Sequence, residues 1–271
     1  MDIQNINAYK GQRVIIKCGG ETLENPETLV NVLDQLVFLA SHGVQLALVH
    51  GGGSQIKLRA EQRGIAESKV NGVRVTCIDT LDVVEEVMSG LNQELVARLL
   101  DRINNAGLRS NIAVRGFGAY EFIEAVQQAD YGYVGEPSMV HAEYLMNSFE
   151  AGEIAIIHPL CQDETGQKLN VNADSVAGAI GRAVQAKRVV FCTSVTGVLD
   201  QDKKRIHTLT PAIIDNLVDD GTIEGGMVKK VRECEALLGH VDGVSIVGSA
   251  QTNSILDALA GTGAGTLITS A

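Results

Sequence analysis

Short apolar segments alternate with longer segments of helical periodicity along the chain, and this alternation most constrains the fold. The predicted strands are Val14–Lys17, Gln45–His50, Asn111–Val114, Ile154–Pro159, Val189–Thr193, Val244–Val247 and Thr266–Thr269. The predicted helices are Leu29–His42, Ser54–Gly64, Leu81–Asn105, Val176–Gln185, Pro211–Asp219 and Met227–Leu238. Such alternation predicts an α/β fold with an open, mainly parallel sheet that lies between helices on both faces.

The predicted strands are continuously apolar, which is typical of a sheet buried on both sides. We expect two lobes that share this one sheet, residues 1–174 and residues 175–271, with the division near Asn172–Ala177. The segment Arg115–Tyr144 is less regular and rich in glycine and aromatic residues, which predicts a hairpin with loops over one end of the sheet.

Composition narrows the class of protein. The chain has 271 residues, of which 45% are hydrophobic, but no apolar run reaches the roughly 18 residues of a membrane span. The first residues do not read as a secretory signal, and five widely spaced cysteines without a CxxC pair are typical of reduced thiols. A net charge of -11 argues against non-specific binding to nucleic acid or anionic membranes. We therefore expect a cytoplasmic protein with a small-molecule substrate.

Glycines follow the first two predicted strands directly. Lys17 ends the first strand before Gly19–Gly20, and His50 ends the second before Gly51–Gly53. Ligands of parallel sheets gather at these strand ends, where glycines let the backbone approach an anion and a lysine supplies positive charge. A tight strand-to-helix turn is the plainer explanation of Gly51–Gly53. Because the chain has neither a Walker A sequence nor GxGxxG after the first strand, a P-loop or a Rossmann site is disfavoured.

Two further segments carry candidate chemistry. Asp174 precedes a predicted helix, so Asp174 or Ser175 could simply be its N-cap, but Asn170 and Asn172 project from the same face of the segment before it. The pair Lys229–Lys230 lies at the start of another predicted helix, where cations oppose the helix dipole unless an anion docks nearby.

Six segments in this order resemble the amino acid kinase superfamily, and within it the N-acetylglutamate kinase branch, over nearly the whole chain. They are VIIKCGG (Val14–Gly20), LALVHGGG (Leu46–Gly53), VNGVRVT (Val70–Thr76), GYVGEP (Gly132–Pro137), LNVNADSVAGAI (Leu169–Ile180) and GGMVKKV (Gly225–Val231). The resemblance implies an αβα sandwich and ATP-dependent phosphorylation of the side-chain carboxylate of N-acetyl-L-glutamate, a step of arginine biosynthesis. It also implies Mg²⁺ held mainly by phosphates and water, with no metal ligand from the protein.

The resemblance assigns roles residue by residue. Lys17 and Lys230 would flank the transferring phosphoryl group, and Asp174 would hold both lysines rather than act as a base. Further residues would contact phosphate (Gly19, Gly20, Gly51, Gly52), the acyl amino acid (Gly52, Gly53, Arg74, Asn170, Asn172) and the nucleotide (Thr193, Ser194, Gly197, Gly226, Met227). A surface salt bridge is the plainer role for Arg74, although paired contacts to a carboxylate suit arginine best.

The chain departs from the family pattern in two places. Ser194 stands where the family commonly has an aspartate, which bears on adenine-nucleotide contacts, and Arg115–Tyr120 replaces a glycine-aspartate-glycine hairpin on the substrate side. A kinase for an aminoadipate derivative or another small carboxylate is therefore an alternative. A non-catalytic regulatory protein on the same fold is a second alternative, which the presence of Lys17, Asp174 and Lys230 disfavours. A dehydrogenase that binds a nucleotide cofactor is a further, less favoured alternative.

The predicted helix Leu81–Asn105 carries an apolar stripe, which either faces the core or forms a dimer contact. Arginine-inhibited members of the family resemble one another in an extra N-terminal helix that links dimers into a ring. Only 13 residues precede Val14 here, with a sparse apolar pattern. We expect a homodimer built around the Leu81–Asn105 helix that free L-arginine does not inhibit.

Overall fold

The structure of the protein, a computed structural model, describes residues 3–66, 68–70, 73–109 and 111–270. Asn71 and Gly72, which belong to the VNGVRVT segment, lie outside these residues. The strands are β1 (Arg13–Cys18), β2 (Gln45–His50), β3 (Lys69–Val70), β4 (Val73–Arg74), β5 (Ala113–Gly118), β6 (Ile123–Gln127), β7 (Val134–Val140), β8 (Glu153–His158), β9 (Leu160–Gln162), β10 (Lys168–Val171), β11 (Arg188–Thr193), β12 (Thr208–Leu209), β13 (Val244–Gly248) and β14 (Thr266–Ile268). The helices are α1 (Ile3–Asn7), α2 (Gly20–Glu24), α3 (Pro26–Ser41), α4 (Gly53–Gln62), α5 (Ile78–Asn105), α6 (Glu143–Glu150), α7 (Ala173–Ala183), α8 (Pro211–Asp219), α9 (Gly226–Glu235) and α10 (Ser254–Ala260).

The main sheet has eight strands in the order β12-β14-β13-β11-β1-β2-β8-β5. Neighbouring strands are parallel except β13 and β14, which pair antiparallel. The predicted α/β fold with a mainly parallel sheet is confirmed. Of the helices in the described ranges, none has both the length and the apolar character that crossing a membrane requires.

Both faces of the main sheet are covered, as the continuously apolar strands predict. In β1, Val14 and Ile16 belong to the core cluster formed with α3, α5 and α10, whereas Ile15 belongs to the cluster formed with α6, α7 and α9. Each of these three side chains is fully buried, which stabilises the fold by about 1.5–3 kcal/mol per side chain. Strand β1 is therefore held at the centre of the molecule from both sides.

The stripe on α5 packs against the protein's own core. Val84, Met88, Leu95 and Leu99 are buried within the single chain, so the core-facing interpretation of the stripe is confirmed. The cysteines of the described residues are unpaired: Cys77 is exposed, and the other four are buried.

Three sequence predictions need correction. Segment Arg115–Tyr144 is not only a hairpin with loops, because β5 continues to Gly118 and β6 and β7 join β9 and β10 in a small closed barrel. Helices α6 and α10 were not predicted, since 8 and 7 residues leave little room for a helical period. Helix α7 begins at Ala173 rather than Val176, because its cap lies further upstream.

The register of β1 with its two neighbours brings three strand ends together. Cys18, the last residue of β1, is paired with His50 of β2 on one side and with Cys192 of β11 on the other. Strand β2, the next strand along the chain, lies on one side of β1, whereas β11, which comes much later in the chain, lies on the other side. Ligands of open α/β sheets bind at such a switch point, beyond the carboxyl ends of the strands.

Candidate active site

A cleft of about 380 Å³ opens at this switch point. Its walls include residues from all three strand ends: Lys17 of β1 with Gly19 and Gly20 after it, Gly53 after β2, and Thr193 of β11 with Ser194 after it. Lys230 of α9 also lines the cleft. Residues that are far apart in sequence and were predicted to meet a phosphate or a nucleotide therefore meet in one cleft.

Asp174 lies between the two candidate catalytic lysines. Lys17 Nζ is 2.8 Å from Asp174 Oδ1, and Lys230 Nζ is 2.7 Å from Asp174 Oδ2. Burial alone would raise the pKa of this carboxyl, but the charges of Lys17 and Lys230 together outweigh burial and lower that pKa. The carboxylate is therefore ionised at neutral pH and holds both ammonium groups beside the cleft.

The start of α7 explains why Asp174 stands in this position. Asn172 is the N-cap, and its Oδ1 accepts a hydrogen bond from Asp174 N at 2.8 Å. The alternative that Asp174 or Ser175 caps the helix is wrong. Asp174 instead lies in the first turn, where the helix dipole favours an anion. The amide oxygen of Asn172, which was expected to contact substrate, is engaged as the cap.

The two lysines of the Lys229–Lys230 pair differ in environment. Lys230 contacts Asp174 and lies 5.2 Å above the ring centroid of Phe191. Lys229 has a side chain that is 65% exposed and forms an ion pair with Glu233 one turn along α9. Only Lys230 belongs to the cluster at the cleft.

Hydrogen bonds link the first glycine turn, Gly19–Gly20, to the second glycine turn, Gly51–Gly53, and to the start of α4. Gly51 N donates to Cys18 O at 2.8 Å, and Gln55 Nε2 donates to Gly20 O at 3.4 Å. The Gly51 N–H is thus engaged within the protein, and the phosphate contact of Gly51 stays a prediction. A Cβ atom at Gly52 would lie 2.9 Å from Leu91 Cδ1, so α5 leaves no space there for a side chain.

Arg74 and Asn170, two of the predicted substrate residues, have defined hydrogen-bond partners. Arg74 Nη2 donates to Gly53 O at 2.9 Å. Asn170 Nδ2 donates to the hydroxyl of Thr76 at 3.1 Å, and Thr76 is fully buried. Strand β4 thereby places a guanidinium next to the turn that opens α4, and β10 places the Asn170 amide against Thr76.

The predicted nucleotide residues divide into two groups. Thr193 and Ser194 line the cleft, whereas Gly197, Gly226 and Met227 lie outside its lining. Gly197 has φ 146°, and a Cβ there would be 2.7 Å from Thr266 Oγ1, so packing requires glycine. Gly226 and Met227 begin α9, the helix that carries Lys230.

Sequence reasoning missed four lining residues: Glu21, Thr22, Ser54 and Cys192. Each lies within two positions of a residue that was predicted, so proximity to the glycine turns and to Thr193 was the available signal. In the parts of the chain that the structure describes, no three His, Cys, Asp or Glu side chains are grouped closely enough to hold a metal ion.

A profile of the amino acid kinase family matches residues 12–247. The chain belongs to the amino acid kinase family. Its relatives include an acetylglutamate kinase from Rhizorhabdus wittichii, 36% identical over 96% of this chain and 90% of the relative. An acetylglutamate kinase from Pelagibacter ubique is 32% identical over 97% of this chain and 90% of the relative. Membership of this amino acid kinase family confirms the resemblance of the six sequence segments.

Solved structures of other proteins share this fold. The protein smu.665 from Streptococcus mutans matches with a TM-score of 0.76 and 26% identity, over 96% of this chain and 99% of that one. N-acetylglutamate synthase from Neisseria gonorrhoeae, complexed with coenzyme A and L-arginine, matches with a TM-score of 0.79 and 22% identity. This chain spans 64% of that synthase chain, and the likeness shows the fold alone.

Proposed function

We propose that this amino acid kinase transfers the γ-phosphoryl group of ATP to the side-chain carboxylate of N-acetyl-L-glutamate and forms an acyl phosphate, a step of arginine biosynthesis. The observation that carries the proposal is the pair of lysines on one carboxylate, 2.8 and 2.7 Å from its two oxygens, beside two glycine turns. The acetylglutamate kinases at 32–36% identity over almost the whole chain support the choice of substrate.

The arrangement supports phosphoryl transfer by positioning and charge rather than by proton abstraction. A carboxylate nucleophile is already deprotonated, so Asp174 has no proton to take. Its role is to hold Lys17 and Lys230 where negative charge passes from the attacking carboxylate, through the phosphoryl group, to the leaving ADP. The backbone N–H groups of Gly20 and Gly52 would donate to the γ-phosphate.

The two lobes are proposed to divide the substrates. Residues 1–174 would bind the acyl amino acid through Gly53, Arg74 and Asn170. Residues 175–271 would bind ATP, with Thr193 and Ser194 at the mouth of the nucleotide site. Arg74 supports this division, because its contact with Gly53 O brings a guanidinium beside the glycine turn of the first lobe.

ATP would enter with Mg²⁺ held mainly by phosphate oxygens and water, since this ion usually keeps several waters. The donors of the cleft fit a polyphosphate, because Lys17, Lys230 and the glycine turns complement negative charge. The charge neutralisation that Mg²⁺ supplies would add to that of Lys17 and Lys230, which would hold the phosphates from the protein side.

A coupled assay of ADP release tests the proposed function. N-acetylglutamate, glutamate, aspartate and N-acetylaminoadipate are compared as acceptors at saturating MgATP. We expect the highest kcat/KM with N-acetylglutamate. Release of ADP with none of the four would contradict the proposal, and a preference for the aminoadipate derivative would transfer it to that acceptor.

Replacing Arg74 with lysine is expected to raise the KM for the acyl amino acid about tenfold while leaving the KM for ATP nearly unchanged. Lysine keeps the positive charge but cannot form paired, planar contacts with a carboxylate. Steady-state kinetics with each substrate varied separately measures both constants.

The matched control for this arginine is Arg59→Lys. Arg59 forms a surface ion pair with Glu86, and its side chain is 41% exposed, so neither KM should change. If Arg74→Lys instead weakens ATP binding, Arg74 is a nucleotide residue and the proposed division of the lobes is reversed.

We propose a homodimer built around α5 that free L-arginine does not inhibit. Strand β5 packs against α5 and lies at the edge of the main sheet, where unpaired backbone groups favour pairing with a second copy. Helix α1 packs within its own chain, since Asn5 Nδ2 donates to Ala260 O at 2.8 Å and Ile6 is fully buried. Light scattering and ADP release, each with and without arginine, check both statements. A hexamer whose activity falls at millimolar arginine would overturn them.

A further inference from the structure

Two polar side chains are buried directly beneath the second glycine turn. His50 ends β2 and is fully buried, and Asn92 lies in the middle of α5 with 6% of its surface exposed. Buried polar groups are almost always hydrogen-bonded, so their partners show what these two residues hold in place. Neither residue lines the cleft.

Asn92 joins three strand ends. Its Nδ2 is 3.0 Å from Ile156 O in β8, 3.4 Å from Phe117 O in β5 and 3.3 Å from His50 Nε2 at the end of β2. Carbonyl oxygens only accept hydrogen bonds, so these contacts identify the donor nitrogen of the amide. His50 Nδ1 faces Gly51 O, which also only accepts, so Nε2 of the neutral ring is left as the acceptor for Asn92 Nδ2.

The proton of the imidazole is therefore on Nδ1. His50 Nδ1 lies 3.1 Å from Gly51 O and donates to it. Burial lowers the pKa of His50 to about 4, which keeps the ring neutral and this proton arrangement intact at neutral pH. The contacts form a continuous relay from α5 through Asn92 and His50 to the carbonyl of Gly51.

The same peptide group contains the N–H of Gly52. A trans peptide is planar, and its C=O and N–H point in opposite directions. Because His50 holds Gly51 O on the side of the protein interior, the N–H of Gly52 points to the opposite side. Side chains of α5 also restrict the turn, since a Cβ at Gly52 would meet Leu91 Cδ1 at 2.9 Å and Met88 Sδ at 3.1 Å.

We propose that Asn92 and His50 are positioning residues that orient the Gly51–Gly52 peptide and so direct the Gly52 N–H to the transferring phosphoryl group. This inference rests on the proposed kinase function for its catalytic consequence but not for its structural part. A small rotation of the peptide would misalign the donor, and misplacements of about 1 Å can lower a rate about 10²-fold. The relay thereby connects helix α5 to the peptide that directly precedes Gly53 of the cleft lining.

Two substitutions at His50 distinguish its hydrogen bond to Gly51 O from its hydrogen bond with Asn92. His50→Asn places an amide N–H near the position of Nδ1 and keeps a donor for Gly51 O. His50→Gln reaches the position of Nε2 and loses that donor. We expect kcat to fall about tenfold or more in His50→Gln and less than about threefold in His50→Asn, with the KM for both substrates little changed.

Hydrogen exchange of the peptide that contains residues 50–56, followed by mass spectrometry, supplies a readout that does not depend on activity. Exchange in this peptide is expected to be faster in His50→Gln and in Asn92→Leu than in the native chain. If His50→Gln does not fold, Asn92→Leu still tests the proposal, because it removes the hydrogen bonds of Asn92 and leaves His50 unchanged.

The matched control is Gln35→Leu. Gln35 is another buried amide, 2% exposed, whose Oε1 accepts from Ile255 N at 2.8 Å and from Leu256 N at 3.2 Å in α10. This variant should lose stability but keep its kcat and the native exchange of residues 50–56.

Two results would overturn the relay: equal losses of kcat in His50→Asn and His50→Gln, or equal exchange in the Asn92 and Gln35 variants. If the native protein phosphorylates none of the acceptors, the proposed function fails. The exchange comparison then still decides the structural role of Asn92 and His50.

Discussion

Replacing Lys230 with methionine is expected to lower kcat on the order of 10²-fold or more, with a smaller change in the KM of either substrate. The ammonium group of Lys230 is 2.7 Å from Asp174 Oδ2 and lines the cleft. Its charge is most valuable when negative charge moves to the leaving ADP, a stage that contributes to kcat rather than to ground-state binding. Methionine keeps the length and the apolar stem of the side chain. Coupled ADP release at saturating substrates measures the effect.

Lys229→Met is the matched control, because it makes the same change at the adjacent residue of α9. Lys229 is 65% exposed and pairs only with Glu233 among the contacts described for it. Exposed pairs of this kind contribute about 0.2–1 kcal/mol, so kcat should change little. Equal losses at the two positions would show that Lys230 is not the catalytic lysine of the pair.

Replacing Asp174 with asparagine is expected to lower kcat on the order of 10²-fold as well. Asparagine has nearly the same shape but no charge, so Lys17 and Lys230 would repel each other without a carboxylate between them. Both lysines would then lose the geometry that places their charges on the phosphoryl group. ADP release and the KM for ATP, measured together, separate loss of catalysis from loss of nucleotide binding.

The same variant should show a pH signature in stability. The pKa of Asp174 is lower in the folded protein than in the unfolded chain, so its ionisation stabilises the fold above about pH 4. That stabilisation is lost as the pH falls from there through the folded pKa. Urea unfolding should show Asp174→Asn less stable by on the order of 3 kcal/mol at pH 7, with the difference shrinking below about pH 4.

The control for this stability prediction is Asp34→Asn. Asp34 forms an ion pair with Arg102 at the surface, with a side chain that is 57% exposed, and such pairs contribute about 1 kcal/mol or less. Its removal should leave kcat unchanged and cost little stability at any pH. A kcat for Asp174→Asn that matches the native value would contradict the role proposed for the carboxylate.

Helix α5 shows which structural features could be predicted from the sequence and which could not. Its apolar period predicted a long amphipathic helix, and the buried stripe faces the core as that period implies. The period contained no sign that Asn92, a polar residue on the same buried face, would hold three strand ends. That contact depends on β2, β5 and β8 ending at one level, which only the register of the sheet establishes.

Some residues of the candidate site were predicted from the sequence and others were not, because part of the site depends on contacts between separate elements. Lys17, Asp174 and Lys230 were recognised from short motifs, and the structure places each lysine within 3 Å of one oxygen of Asp174. Asn172 was not predicted to cap α7, which it does because a helix that begins at Ala173 needs an acceptor for its first N–H groups; its contact with substrate stays a prediction. The beginning of a helix is poorly defined by periodicity, and the cap depends on that beginning.

The amino-acid sequence by itself determined the alternation of strands and helices, the burial of both faces of the sheet and the membership of the amino acid kinase family. These properties follow from hydrophobic period and local motifs, which act between residues close in the chain. Tertiary structure alone decided which backbone groups of the glycine turns are engaged: Gly51 N–H by Cys18 O, and Gly51 C=O by His50. Hydrogen bonds of this kind depend on distances of a few tenths of an ångström between separate elements, and these distances exist only after the sheet and α5 have packed together.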